Sequence, residues 1–181
     1  MVVALADSYE DVLEVLDADR RQHSLAVGRK VEAEAGRVAP ALRSDLVAGA
    51  VLHDVGYGHS ATGFHPLDGA RFLRDQGFGA VVCHLVVHHS ASTLEAEVRG
   101  LGLSAYKPFA VNQDLGAAHA VLWWADMTTG PQGQDVTVEH RLEEICARYG
   151  PNDVVTRFIK RARPILLAAG QSPVGSIQIP C

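Results

Sequence analysis

The chain has 181 residues, enough for one hydrophobic core, and 48% of them are hydrophobic. Sixteen Lys and Arg against 21 Asp and Glu leave a formal net charge of −5 with histidine neutral. That balance excludes a protein that coats nucleic acid through a basic face, yet permits a phosphorylated small-molecule partner if metal ions supply positive charge locally.

Nearly every segment reads as helix. Ser8 is placed to cap a short helix through about Ala18, with Val12, Leu13, Val15 and Leu16 as its apolar stripe. A second helix runs from about Arg20 to Ala35 and stops at Gly36; within it His23, Val27 and Val31 share one face. Ser44 opens a third helix that ends in Leu52-His53-Asp54, before a breaker-rich stretch from Val55 to Phe64. Pro66 suits the first turn of a fourth helix carrying Leu67, Ala70, Phe72 and Leu73 and stopping near Gly77. A fifth, about Ala80 to His89, is apolar all round except for its histidines, which implies burial at the centre of a bundle. A short sixth holds Leu94 to Arg99, and Asn112 is placed to cap a helix reaching about Met127. Two amphipathic helices, about Val138 to Tyr149 and Pro151 to Ala169, precede a loose or arm-like tail. Strand signals are weak throughout, so the reading is one all-α domain.

Cys83, Cys146 and Cys181 form no Cys-x-x-Cys pair, and an odd count without framework spacing reads as reduced thiols. The N-terminus lacks a basic segment, and no apolar run approaches bilayer length. The expectation is a soluble cytoplasmic protein with no membrane partner.

Chemistry concentrates around His53-Asp54, where an apolar, small-residue helix opens into a glycine loop. Buried ionisable groups are costly unless paired or metal-bound, and imidazole with carboxylate is a donor set that Fe, Mn, Co, Ni and Zn accept. The alternative is a pair that caps the following loop. His23 is either a satisfied, partly buried histidine or a ligand. His65, before Pro66, either starts its helix or ligates; Asp68 favours the helix dipole. Arg71, one turn beyond, pairs with Asp68 or points its fork at phosphate oxygens. His84 and His88 lie four apart on one helix face, with His89 rotated by about 100°. Asp126 ends an apolar stretch, as a helix-end oddity or a ligand, and Thr128 and Thr129 follow it.

The order His23, His53-Asp54, His65, His88-His89, Asp126 resembles the HD superfamily of metal-dependent phosphohydrolases over about His23 to Asp126. The resemblance implies a compact multi-helix HD-domain bundle with the metal site at its centre. Residues 1–181 would form a single domain: a core at about 20–130, C-terminal helices at about 137–169 and a loose tail at 170–181. His23, His53, Asp54 and Asp126 would hold a first divalent transition metal. His65 and His89 would hold a second, with Asp54 bridging and His88 a second ligand or a phosphate donor. Fe, Mn, Co or Ni is expected rather than Zn or Mg.

Asp54, His65 and Arg71 would then act catalytically, with Lys107 as another source of positive charge. His84 would be a core histidine, and His59, His119 and His140 have no assigned role. The set is similar to the two-metal subgroup that includes YqeK-type diadenosine tetraphosphate hydrolases and HD-GYP phosphodiesterases. Gly-Tyr-Pro does not follow His88-His89 here, which speaks against cyclic dinucleotide cleavage. The implied reaction is hydrolysis of a phosphoester or phosphoanhydride in a small, nucleotide-like substrate. The same donor set admits an HD-fold di-iron oxygenase, and the fold admits a non-catalytic ligand sensor. The apolar tail Ser176 to Cys181 is a candidate homodimer contact.

Overall fold

The computed structural model describes residues 5–178, with side chains from Tyr9 onward. Helix is the regular structure among these residues; an isolated antiparallel bridge between Thr129 and Asp135 is the nearest approach to a strand. In order come α1 (Ala18–Glu34), α2 (Arg43–Leu52), α3 (His65–Asp75), α4 (Ala80–Val87), α5 (Ser92–Val98), α6 (Gly116–Met127), α7 (Val138–Tyr149) and α8 (Val154–Gly170). The all-α bundle expected from the sequence is the fold.

The first segment, Leu5–Val15, winds as a 3-10 helix. The cap expected from Ser8 lies outside the described side chains. The α1 helix starts where the Asp17 carboxylate accepts the Arg20 N–H at 2.9 Å, satisfying one orphan donor of the first turn. The α2 helix is the central element: every residue from Leu46 to Leu52 is buried, and it packs against α1, α4 and α6. Small residues permit this approach, since a Cβ on Gly49 would stand 3.0 Å from Leu85 Cβ. The C-terminus of α2 therefore delivers His53 and Asp54 to the middle of the molecule.

The chain then folds back in a 3-10 turn, Val55–Gly58, that touches the start of α3 backbone to backbone. A Cβ on Gly56 would meet the His65 carbonyl oxygen at 1.9 Å and Gly69 N at 2.5 Å, so only glycine fits. Pro66 occupies the first turn of α3, as expected.

Other boundaries differ from the sequence reading. Asp114, not Asn112, accepts from the Gly116 N–H at 2.8 Å at the start of α6. Asp153 accepts from Val155 N at 2.8 Å, so α8 begins at Val154. The tail is held rather than loose: Ile177 N–H donates to the Gly116 carbonyl at 2.9 Å and Ile177 packs on the core. Residues 179–181 of the candidate dimer contact lie outside the described residues. No described helix is long and apolar enough to cross a membrane.

The largest correction concerns α4, which ends at Val87 instead of running through His89. Ser90 (φ 44, ψ 49) and Ala91 (φ 62, ψ 29) are left-handed, a conformation costing non-glycine residues about 1–2 kcal/mol each. One tertiary and one local hydrogen bond hold the bend: Ser90 Oγ donates to Asp126 Oδ2 on α6 and Ser92 Oγ to the Val87 carbonyl, both at 2.5 Å.

Candidate metal centre

Five elements converge on one buried point. The α1 helix brings His23, the end of α2 brings His53 and Asp54, the start of α3 brings His65, the bend after α4 brings His89, and α6 brings Asp126. Ring centroids lie 5.3 Å apart for His23 and His53, 5.1 Å for His53 and His89, and 5.2 Å for His65 and His89.

The outward nitrogens of three of these rings are fixed by main-chain carbonyls. His23 Nδ1 bonds Gly130 O at 3.0 Å, His53 Nδ1 bonds Ala50 O at 2.7 Å and His89 Nδ1 bonds Val86 O at 2.6 Å. A carbonyl only accepts, so each Nδ1 carries a proton, and each ring in its neutral form turns an Nε2 lone pair inward. Backbone bonds of this kind orient imidazole ligands in metal sites.

The inward atoms crowd together and are only partly partnered among themselves. His53 Nε2 is buried and makes no hydrogen bond; it stands 3.6 Å from Asp54 Oδ1 and 3.7 Å from Asp126 Oδ1. His23 Nε2 faces Asp126 Oδ1 at 3.2 Å, lone pair against lone pair while the ring is neutral, an arrangement that calls for a cation or a proton between them. His65 Nε2 lies 3.4 Å from Asp54 Oδ1 and 3.2 Å from His89 Nε2. Two groups have donor atoms all within 4.8 Å of one another: His23, His53 and Asp54, and Asp54, His65 and His89. Ligands about 2.0–2.2 Å from one ion show such spacings. The residues present fit a divalent metal, and Asp54 belongs to both groups.

Electrostatics favour the ligand-ready forms. Burial alone would neutralise Asp54, but His53 and Arg20 hold its carboxyl well below the usual range. Burial is likewise outweighed at Asp126 by His53 and His23, so this carboxylate stays ionised. Burial depresses His65 and His89, keeping both rings neutral.

Not every expected residue is at the centre. The left-handed bend turns His89 inward and sends His88 the other way, its ring 4.4 Å from His84 and 5.0 Å from Tyr106. His84 Nδ1–H donates to the Phe109 carbonyl (2.8 Å), and the ring lies 5.3 Å from the His119 ring. Arg71 does not pair with Asp68, whose oxygens take the Thr62 and Gly63 N–H groups and the Thr62 hydroxyl. Neither Arg71 nor Lys107 lines the cavity over the cluster. His59 stacks on Phe72 at 3.7 Å, away from the centre. Thr128 and Thr129 bond back to Trp124 and Ala125 carbonyls and close α6.

Sequence reasoning missed three neighbours. Arg20 donates from Nη1 to Asp54 Oδ2 at 2.7 Å, its guanidinium 3.5 Å from the Tyr57 ring centroid. Tyr57 also stacks on His65 at 4.0 Å. Ser90 binds the outer oxygen of Asp126. Arg20 was findable, since three residues before His23 on one helix places both on one face; Ser90 carried no such signal.

A family model described as HD domain matches residues 20–130 of the chain. No curated protein and no solved structure matches it.

Proposed function

The chain belongs to the HD-domain family, and from that premise we propose that it is a metal-dependent phosphohydrolase acting on a phosphoester or phosphoanhydride of a small, nucleotide-like substrate. The observation that carries the proposal is the shared carboxylate: Asp54 serves both donor groups, and the cavity beside it is lined by His65, His89 and Asp126 from the cluster. His23, His53, Asp54 and Asp126 would hold one ion, and His65 and His89, with Asp54, a second, as in the two-metal subgroup. Bound there, such ions lower the pKa of a water, orient it and neutralise charge on a phosphoryl group.

The chain's own groups do the rest. Asp54 faces the histidines with Oδ1 and Arg20 with Oδ2, so one carboxylate ties the guanidinium to the cluster. Stacking on Tyr57 fixes the plane of that guanidinium, and Arg20 lines the cavity, where a guanidinium fork suits phosphoryl oxygens. Arg20 thereby takes the role that the sequence offered to Arg71 and Lys107. Main-chain bonds hold the histidine ligands in place without side-chain motion.

The test is metal content by ICP-MS on protein purified without tag or chelator, followed by phosphate release from a nucleotide panel after reconstitution with Mn, Fe, Co or Ni. Two ions per chain and turnover that both vanish in Asp54→Ala are expected. Absence of metal after reconstitution, or an Asp54→Ala protein that keeps metal and turnover, would refute the proposal. Turnover that needs iron and O₂ would transfer the site to oxygenase chemistry.

A further inference from the structure

Two cavities meet beside the cluster. The inner one, about 80 Å³, reaches Asp54, His65, His89 and Asp126; the outer one, about 390 Å³, reaches His23 from the other side. The side chains common to both are Arg20, Arg141 and Arg148. A phosphoryl group on the cluster fills much of the 80 Å³ inner cavity, and the larger outer cavity, reached past these three guanidinium groups, has room for the remainder of a substrate.

Their donors are far from exhausted. Arg20 spends Nη1 on Asp54, and Arg141 spends Nη1 on Glu144 at 2.7 Å. Arg148 grips Glu144 with Nε and Nη2 at 2.9 and 2.8 Å. Arg141 is only 7% exposed, and its Nε is buried with no partner, a state that costs about 1–3 kcal/mol for a buried polar group and more for a charged one. The outer cavity also carries Asp17, Asp19 and Glu144. Asp17 is committed to the Arg20 N–H and Glu144 to the two arginines, so Glu144 positions the pair as well as screening it. The inner cavity adds Glu95, already held by Arg99 at 2.6 Å.

Resting on the phosphohydrolase reading, we propose that Arg20, Arg141 and Arg148 form a subsite for a second phosphoryl group, making the substrate one with adjacent phosphoryl groups rather than a simple monoester. Guanidinium forks match phosphate oxygens in pairs. Arg141 and Arg148 stand on α7, beyond the residues that the family model matches.

The experiment measures equilibrium binding of methylenediphosphonate and methylphosphonate, neither hydrolysable at its P–C bond, to the protein at fixed free Mn²⁺, with metal content checked after each titration. The diphosphonate should bind at least about tenfold more tightly. R148Q and R141Q should bring that ratio close to one while metal content stays at the wild-type value. Arg148 is exposed, so R148Q keeps the test decisive if R141Q fails to fold. No preference in the wild type, or a preference unchanged in R148Q, overturns the subsite. A preference that persists in a protein releasing no phosphate from any nucleotide overturns the hydrolase reading and leaves the subsite standing.

Discussion

Removing Asp54 should affect metal binding differently from removing any histidine, because Asp54 alone belongs to both donor groups while His65 belongs to one. An ion that binds only the folded chain stabilises it by about 2.7 kcal/mol at a hundredfold excess over its Kd. Two occupied sites contribute roughly twice that, on the order of 5 kcal/mol. In a domain of this size each kcal/mol moves Tm by about 2–4 °C, so wild-type protein in saturating Mn²⁺ should melt roughly 10–20 °C above the chelated sample. His65→Ala should retain roughly half of that shift, and Asp54→Ala almost none. Each variant is compared with its own chelated form, because Asp54→Ala also strips Arg20 of its 2.7 Å partner and lowers the metal-free Tm by itself. The assay is thermal unfolding followed by circular dichroism across a Mn²⁺ titration. An Asp54→Ala protein that keeps more than half of the wild-type shift, or a His65→Ala protein that loses all of it, would refute the shared-carboxylate geometry.

Three further outcomes follow from the packing. Gly56→Ala forces a Cβ against the His65 carbonyl, 1.9 Å away; it should cost about 1–3 kcal/mol in urea unfolding and lower metal stoichiometry by displacing His65, and an unchanged midpoint contradicts the contact. Asp68→Ala strands the Thr62 and Gly63 donors that hold the loop before His65 and should cost about 1–3 kcal/mol, with Asp68→Asn recovering part of it. Burial lowers the pKa of His84, His88 and His119, in His88 to about 3. With the folded pKa below the unfolded value of about 6.5, the unfolded chain takes up the proton first. Their contribution is whole above pH 6.5 and lost as pH falls toward 3, at up to about 1.4 kcal/mol per pH unit for each histidine. Urea unfolding between pH 7 and pH 5 should therefore show a shallower pH slope in His88→Gln than in the wild type; coincident slopes would mean that the buried ring is not the source.

The sequence by itself determined the helices and the order in which ligand-type residues reach the centre. Helical period and burial are local properties: the all-apolar, small-residue run from Leu46 to Leu52 has to lie inside, and the pair that ends it has to lie inside with it. Pro66 and the glycine loop before it marked the start of α3 for the same reason. Tertiary structure alone decided which neighbour of a pair faces the site. The bend at Ser90 and Ala91 separates His88 from His89, yet neither residue is a glycine, so no local preference announced it; the bond from Ser90 to Asp126 on α6 imposes it from outside the segment, and Ser92 ties back to Val87 across it. Arg71 looked like the partner of Asp68 by spacing, but loop N–H groups arriving from Thr62 and Gly63 occupy that carboxylate first. Arg141 and Arg148 lie on a helix whose amphipathic pattern reported only a surface, and the packing of α7 on α6 and α8 brings that surface over the centre. Side-chain direction and long-range pairing depend on atoms far away in the chain, which a periodic pattern does not encode.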